Sequence, residues 1–304
     1  MIVSLSLRLA DHLKAKNAGH SVKPKSIAGG SSATDRRARV GIIGAGGRVK
    51  SIYLPIFKAL HDEFEIVGFT NRSREKSQLL ADETGFKFFN DAVSMARETK
   101  PDFMLVAISA GAIDTTMPSL IDLKVPLLVE TPFSWSVRKG QKALKRIRQL
   151  QLTVGVAEQT PHLPLEQLKR QLIDLGLVGR VVAAKNDFAV YDYPGIAALR
   201  AYIGSYKNAV RVNATRADFP MSGVGADGPP DGPARERWMQ GSVVYDDGTL
   251  LIHNYSNEYF DAPWRTPRSL RVYGTSSSII DDAVIFNTPR GWRWRGKDPP
   301  QGIF

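Results

Sequence analysis

Three glycines stand first among the residues that could do chemistry. The stretch VGIIGAGGR places Gly44, Gly46 and Gly47 after an apolar run and ahead of a helical pattern. A glycine at the first position permits a tight turn, and one at the second lets a pyrophosphate approach the backbone. The helix that follows offers free N–H groups and the positive end of its dipole. The third position of a G-x-G-x-x-G fingerprint is Val49 here, so the match is imperfect. The alternative is a glycine-rich turn that binds nothing. About twenty residues on, the next strand ends GFTNRSREK, where an NAD-binding chain usually carries an acidic residue for the ribose 2′-hydroxyl. Thr70, Asn71 and Ser73 are neutral, Arg72, Arg74 and Lys76 are basic, and a 2′-phosphate would meet no opposing carboxylate. The expected cofactor is therefore NADP(H), favoured over NAD(H), with Asn71, Arg72 and Ser73 at its adenosine ribose end. The plainer reading of the same residues is a solvated helix start.

Titratable groups gather further along. VAEQTPHL brings Glu158 and His162 to the end of a strand, and His162 can exchange protons near neutral pH without a large shift. YDYPGIAAL offers Tyr191, Asp192 and Tyr193 ahead of a helix, with Asp192 expected as its N-cap and Pro194 in its first turn. Each group also has a structural reading, as an exposed loop histidine or a helix cap. The five histidines show no metal-ligand spacing, and no metal is expected.

These residues need elements to hold them. From Arg39 strands alternate with helices: ARVGIIG, then VKSIYLPIFKALHD with Pro55 interrupting or kinking it, FEIVGFT, SREKSQLLADETG closed by Gly85, FKFFND, the DAVSMARETK helix, PDFMLVAIS, VPLLVE, the basic-faced helix SVRKGQKALKRIRQLQ, and LTVGVAEQ. Strands separated by helices of this length imply a doubly wound parallel sheet with right-handed crossovers. After about residue 160 one helix, PLEQLKRQLIDLGLVG, precedes strand-like runs: RVVAAKNDFAVYD, WMQGSVVYDDG, TLLIHNYSNEYF, SLRVYG and SSIIDDAVIF. They imply an open, mainly antiparallel sheet with a hairpin at Asp246-Asp247-Gly248. The fold class is thus α/β, an N-terminal Rossmann domain over 39–158 followed by an α+β substrate and oligomerisation domain over 159–304. Residues 1–38 read as a disordered basic extension. The loop 222–233, rich in Gly and Pro, is either a lid or a plain surface loop.

Composition sets the outer bounds. The 304 residues contain no cysteine, which excludes disulfides, thiolate catalysis and thiolate metal sites. No apolar run approaches the length of a membrane span, so no membrane partner is expected. The net charge of +11 resembles a nucleic-acid signal, but eight Lys/Arg against two Asp in residues 1–39 account for six of those charges. The tail PRGWRWRGK interleaves aromatics and arginines, yet one such cluster without an accompanying fold does not make a nucleic-acid binder. A small-molecule substrate and a cytoplasmic setting are expected instead.

The chain resembles the Gfo/Idh/MocA oxidoreductases over roughly residues 39–280. The resemblance rests on VGIIGAGGR, VAISAGAI, LLVETPFSWS, IDLGLVGRVVAA, the helix end LRAYIG and LRVYGTSSSI, in that order. It implies hydride transfer between a nicotinamide and a sugar, cyclitol, carbonyl or imine, and homo-oligomers formed through the C-terminal sheet. It also places Arg48, Ser109 and Glu130 at the cofactor and Thr131 beside the nicotinamide. The family's lysine, in Glu-Lys-Pro, falls on Thr131, and its later His-x-x-Asp falls on Pro194 and Ala197. Threonine and proline cannot take or give the proton that alcohol oxidation or carbonyl reduction requires. Two readings follow: an oxidoreductase in which His162, Tyr191, Tyr193 or Glu130 serves instead, or a catalytically silent member that binds a dinucleotide or sugar-like ligand as a sensor or subunit.

Overall fold

The computed structural model describes residues 36–190, 192–204, 207–221, 234–256 and 268–286. Tyr191, the 222–233 loop, the tail 289–297 and residues 1–35 lie outside the described residues. The chain divides into two compact units that part between Ala157 and Glu158.

The first unit is built on a six-stranded parallel sheet. Its strands are β1 (Ala38–Ile43), β2 (Phe64–Thr70), β3 (Phe88–Phe89), β4 (Phe103–Val106), β5 (Leu127–Val129) and β6 (Val154–Val156), in the order β3-β2-β1-β4-β5-β6. Chain order reverses at β1, so the carboxyl ends of β1 and β4 flank the switch point at which such sheets bind ligands. The central strands are apolar runs because helices cover both faces. Val40, Ile42, Leu105 and Phe69 pack on one side, and Met104, Val106, Ile113, Met117 and Ile121 on the other. The helices are α1 (Leu54–Ala59), α2 (Arg74–Thr84), α3 (Ala92–Thr99), α4 (Ala110–Asp122) and α5 (Val137–Leu150). Ser73, Asp91 and Ser136 cap α2, α3 and α5 through their side chains, and Gly85 ends α2 at φ 72°. The VKSIYLPIFKALHD segment is not one helix kinked at proline. It winds as a π turn over Val49–Tyr53 and continues as α1, with Pro55 in its first turn. β1 starts at Ala38, and the Arg36 guanidinium makes a two-pronged ion pair with Asp102, which holds that carboxyl below its usual range.

The second unit carries a seven-stranded sheet. After a 3₁₀ turn (Thr160–His162) and α6 (Pro164–Asp174) come β7 (Val181–Asp187), α7 (Asp192–Ile203), β8 (Ala209–Met221), β9 (Ala234–Tyr245), β10 (Leu250–Ser256), β11 (Ser269–Gly274), β12 (Ser277–Ile280) and β13 (Ala283–Phe286). The order is β13-β12-β11-β7-β10-β9-β8, antiparallel except for the β7–β10 pair. The β9–β10 hairpin turns at Asp246-Asp247-Gly248, with Gly248 at φ 81°. Leu172, Leu199 and Tyr202 of the helices close the core against Ala184, Leu251, Leu270 and Val272. Two features depart from the sequence reading. β8, a thirteen-residue edge strand, was not anticipated: AVRVNATRADFPM is exposed along most of its length and is held by pairing with β9, which apolar alternation does not report. Asp192 is the first residue of α7 itself, at φ 32°, not the capping residue before it.

Candidate functional site

The glycine loop joins the end of β1 to the π turn. Gly44 sits at φ 101°, and a Cβ there would come within 2.2 Å of the Ala107 carbonyl oxygen. Only glycine permits this turn, because both the backbone conformation and the neighbouring β4 end exclude a side chain. Gly46 and Gly47 are exposed, and a Cβ at either would meet nothing within 4 Å. Their lack of side chains therefore has no packing reason. It leaves the backbone open at the head of the helical segment, where orphan N–H groups attract an anion. Val49, at the third fingerprint position, is buried among Val40, Ile42 and Leu105, and the π turn begins at that residue.

The end of β2 lies beside this loop, since Gly44 N–H donates to the Thr70 carbonyl at 2.8 Å. Asn71 turns the chain, its Oδ1 accepting from the Arg72 N–H at 2.9 Å. Arg72 is exposed, and its guanidinium makes no hydrogen bond among the described residues. The Ser73 hydroxyl oxygen accepts the Lys76 N–H at the start of α2. Ser109 precedes α4, exposed and without a side-chain capping bond.

Glu130 closes the other side. It follows β5, is 9% exposed, and its N–H donates to the Val106 carbonyl. Its Oε1 accepts from Arg48 Nε at 2.6 Å and from the Tyr53 hydroxyl at 2.9 Å, while its Oε2 accepts from Thr131 N at 2.9 Å and Thr131 Oγ1 at 3.4 Å. Three sequence candidates, Arg48, Glu130 and Thr131, thus converge. Tyr53, which the sequence reading passed over, joins them from the π turn. Burial, and then the Glu130 carboxylate, push its phenol far above the usual range, so it remains protonated and acts as a donor. The Thr131–Pro132 peptide is cis.

In the second unit His162 ends the 3₁₀ turn, exposed. With Glu166, Arg170 and Tyr202 it lines a small cavity of about 180 Å³. Glu158, two residues after β6, has its carboxylate accepting the Thr160 N–H at 3.1 Å. Tyr193 is half-buried in the first turn of α7, Pro194 is buried there, and Ala197 lies one turn on. A histidine that the sequence reading did not weigh lies against the same turn. His253 on β10 is 9% exposed, and Asn186 Nδ2 lies 3.0 Å from its Nδ1. Gly195 of α7 packs so closely on this ring that a Cβ would lie 2.4 Å from Cε1. Burial depresses its pKa from 6.5 to about 4. No group of three or more metal-ligating side chains occurs among the described residues.

The open glycine loop is the feature that the comparisons with known proteins explain. Residues 38–158 match the Gfo/Idh/MocA profile, described as an oxidoreductase family with an NAD-binding Rossmann fold. An uncharacterized protein of Saccharomyces cerevisiae, YMR315W, is 23% identical over 147 residues, which are 47% of this chain and 42% of the yeast protein. The match therefore spans less than half the length of that relative. Among solved structures, biliverdin reductase from Synechocystis sp. PCC 6803, in complex with biliverdin and NADP+, aligns with a TM-score of 0.63 at 14% identity, covering 87% of this chain and 85% of its own. The transcriptional regulator Gal80p from Kluyveromyces lactis aligns with a TM-score of 0.67 at 13% identity, covering 86% and 78%. A similar fold thus occurs in a protein described as a biliverdin reductase and in one described as a transcriptional regulator. No helix among the described residues is long and apolar enough to cross a membrane.

Proposed function

We propose that the chain is an NADP(H)-preferring oxidoreductase acting on a small carbonyl, imine or sugar-like substrate. The observation that carries this reading is the glycine loop: Gly44 is fixed by its contact with β4, while Gly46 and Gly47 leave bare backbone at a helix head. That surface fits a pyrophosphate. The Arg72 guanidinium, which makes no hydrogen bond among the described residues, fits a ribose 2′-phosphate, with Asn71 and Ser73 beside it. Ser109 and Glu130 would hold the nicotinamide half, the latter kept in place by Arg48. When bound, the dinucleotide supplies or accepts hydride. Proton transfer falls to residues other than the family's lysine, and His162, Tyr193 and Tyr191 are the candidates. Reduction is the favoured direction, because a substrate that arrives protonated asks least of the protein. Homo-oligomers through the C-terminal sheet fit the exposure of Val210, Val212 and Phe219 on β8.

A second reading, a silent dinucleotide-binding sensor or subunit, is favoured by one observation. Thr131 stands where the lysine would, and it donates both its N–H and its hydroxyl to Glu130. The similar fold of Gal80p, described as a transcriptional regulator, is in keeping with this reading. Titration with NADPH and NADH by nicotinamide fluorescence, followed by a turnover screen of imines, keto acids and sugars, separates the two. Turnover with NADPH supports the first, tight binding without turnover supports the second, and no binding of either nucleotide sinks both. Arg72→Ala should weaken NADPH more than NADH, and an equal loss would refute the phosphate assignment.

A further inference from the structure

Between α4 and α5 runs a slot of about 460 Å³ that the dinucleotide reading does not use. That volume is in the range of small-molecule sites. Its floor is apolar, formed by Met117, Pro118 and Ile121 of α4 with Phe133 from the turn after β5. Both carboxylates along it are already committed. Asp114 accepts from the Ser134 hydroxyl at 2.5 Å and the Trp135 N–H at 3.1 Å, and Asp122 pairs with Arg146 at 2.9 Å. These bonds close the two ends. Between them Lys139 and Lys142 stand on the α5 wall, exposed, and their side chains make no ion pair or hydrogen bond among the described residues. They are three residues apart, so their stems lie on one face of the helix, within reach of a single anionic group.

We propose that this slot binds a small organic anion, its apolar body on Met117, Pro118 and Ile121 and its carboxylate between Lys139 and Lys142. The charge balance argues for that class. The slot is lined by three cations and two carboxylates; with Arg146 paired to Asp122, two lysines face the single carboxylate of Asp114, whose Oδ1 is already taken by Ser134 and Trp135, which leaves one net positive charge. A neutral apolar ligand would leave both ammonium groups unanswered, and a sugar would waste the apolar floor. α5 carries three further exposed cations, Arg138, Lys145 and Arg148, which do not line the slot. They supply a same-helix control for non-specific charge attraction.

The test is calorimetric titration of the full chain with decanoate, repeated with excess NADPH, and with decanol as the uncharged counterpart. Saturable decanoate binding, unaffected by NADPH and roughly tenfold or more weaker for decanol, is expected. The double variant Lys139→Gln/Lys142→Gln should lose about tenfold or more in decanoate affinity. Arg138→Gln/Lys145→Gln, which removes equal charge outside the slot, should change it by less than about twofold. Three outcomes would overturn the proposal: no decanoate binding, equal losses in the two double variants, or displacement by NADPH. If poly-glutamate bound in a Lys139- and Lys142-dependent way while decanoate did not, the slot would be a docking surface for acidic protein segments and the small-anion proposal would fall.

Discussion

Arg48 Nε lies 2.6 Å from Glu130 Oε1, and this one bond ties the glycine loop to the turn after β5. The loop that would receive a pyrophosphate and the carboxylate that would face a nicotinamide are therefore mechanically joined. Glu130→Ala would remove the acceptor of the Tyr53 hydroxyl and one partner of Arg48. Urea denaturation should show a loss of about 1–3 kcal/mol with an unchanged slope. Glu130→Gln keeps an oxygen for Tyr53 and Arg48, and should recover about half of that loss.

The glycine loop separates folding from binding. Gly44→Ala forces a methyl onto the Ala107 carbonyl at an unfavourable φ, which should cost about 2–5 kcal/mol or prevent folding. Gly46→Ala meets no atom, so its melting temperature should stay close to that of the parent. Its affinity for NADPH should nevertheless fall by about tenfold or more, since a methyl on the bare backbone keeps phosphate away. Undiminished NADPH affinity in Gly46→Ala would remove the loop from the binding site.

The pair Glu166–Lys169 is held at 2.9 Å inside α6, with side chains 8% and 3% exposed. Its Oε2 has no partner among the described residues. Breaking such a pair strands a charge, so Glu166→Gln should destabilise by about 3–5 kcal/mol. Replacing both, as Glu166→Leu/Lys169→Met, should be far milder and can even stabilise. A double-mutant cycle by chemical denaturation reads the difference, and a double variant as unstable as Glu166→Gln would show that the pair does more than balance charge.

His253 predicts a pH dependence. Its folded pKa is depressed from 6.5 to about 4, so between these values the unfolded chain takes up a proton that the native one refuses. Stability is thus complete above about pH 6.5 and declines as pH falls toward 4, by up to about 3 kcal/mol from this group. His253→Gln should flatten that window in melting curves recorded from pH 7 to 4. A parallel decline in both proteins would assign the effect to carboxylates.

What could be read from the sequence followed from local patterning. The strand–glycine–helix order, the neutral and basic end of β2 and the Glu-Thr-Pro turn are continuous segments whose chemistry is visible residue by residue. Tyr53 was invisible because its partner Glu130 is remote in sequence and a π turn gives no periodic signal. β8 was missed because an exposed edge strand needs only its neighbour's backbone and not an apolar face. His253 was passed over as a residue of a strand-like run; only the pairing of β10 with β7 brings it to Asn186.

The contact between Gly195 and the His253 ring constrains how this chain can vary. Two positions nearly sixty residues apart share one volume, with the ring against α7 where any side chain at 195 would intrude. Among natural relatives a residue larger than glycine at the first position should therefore occur only with something smaller than histidine at the second. The two should be inherited as a matched set, so that exchanging α7 alone between homologues would fail unless β10 travelled with it.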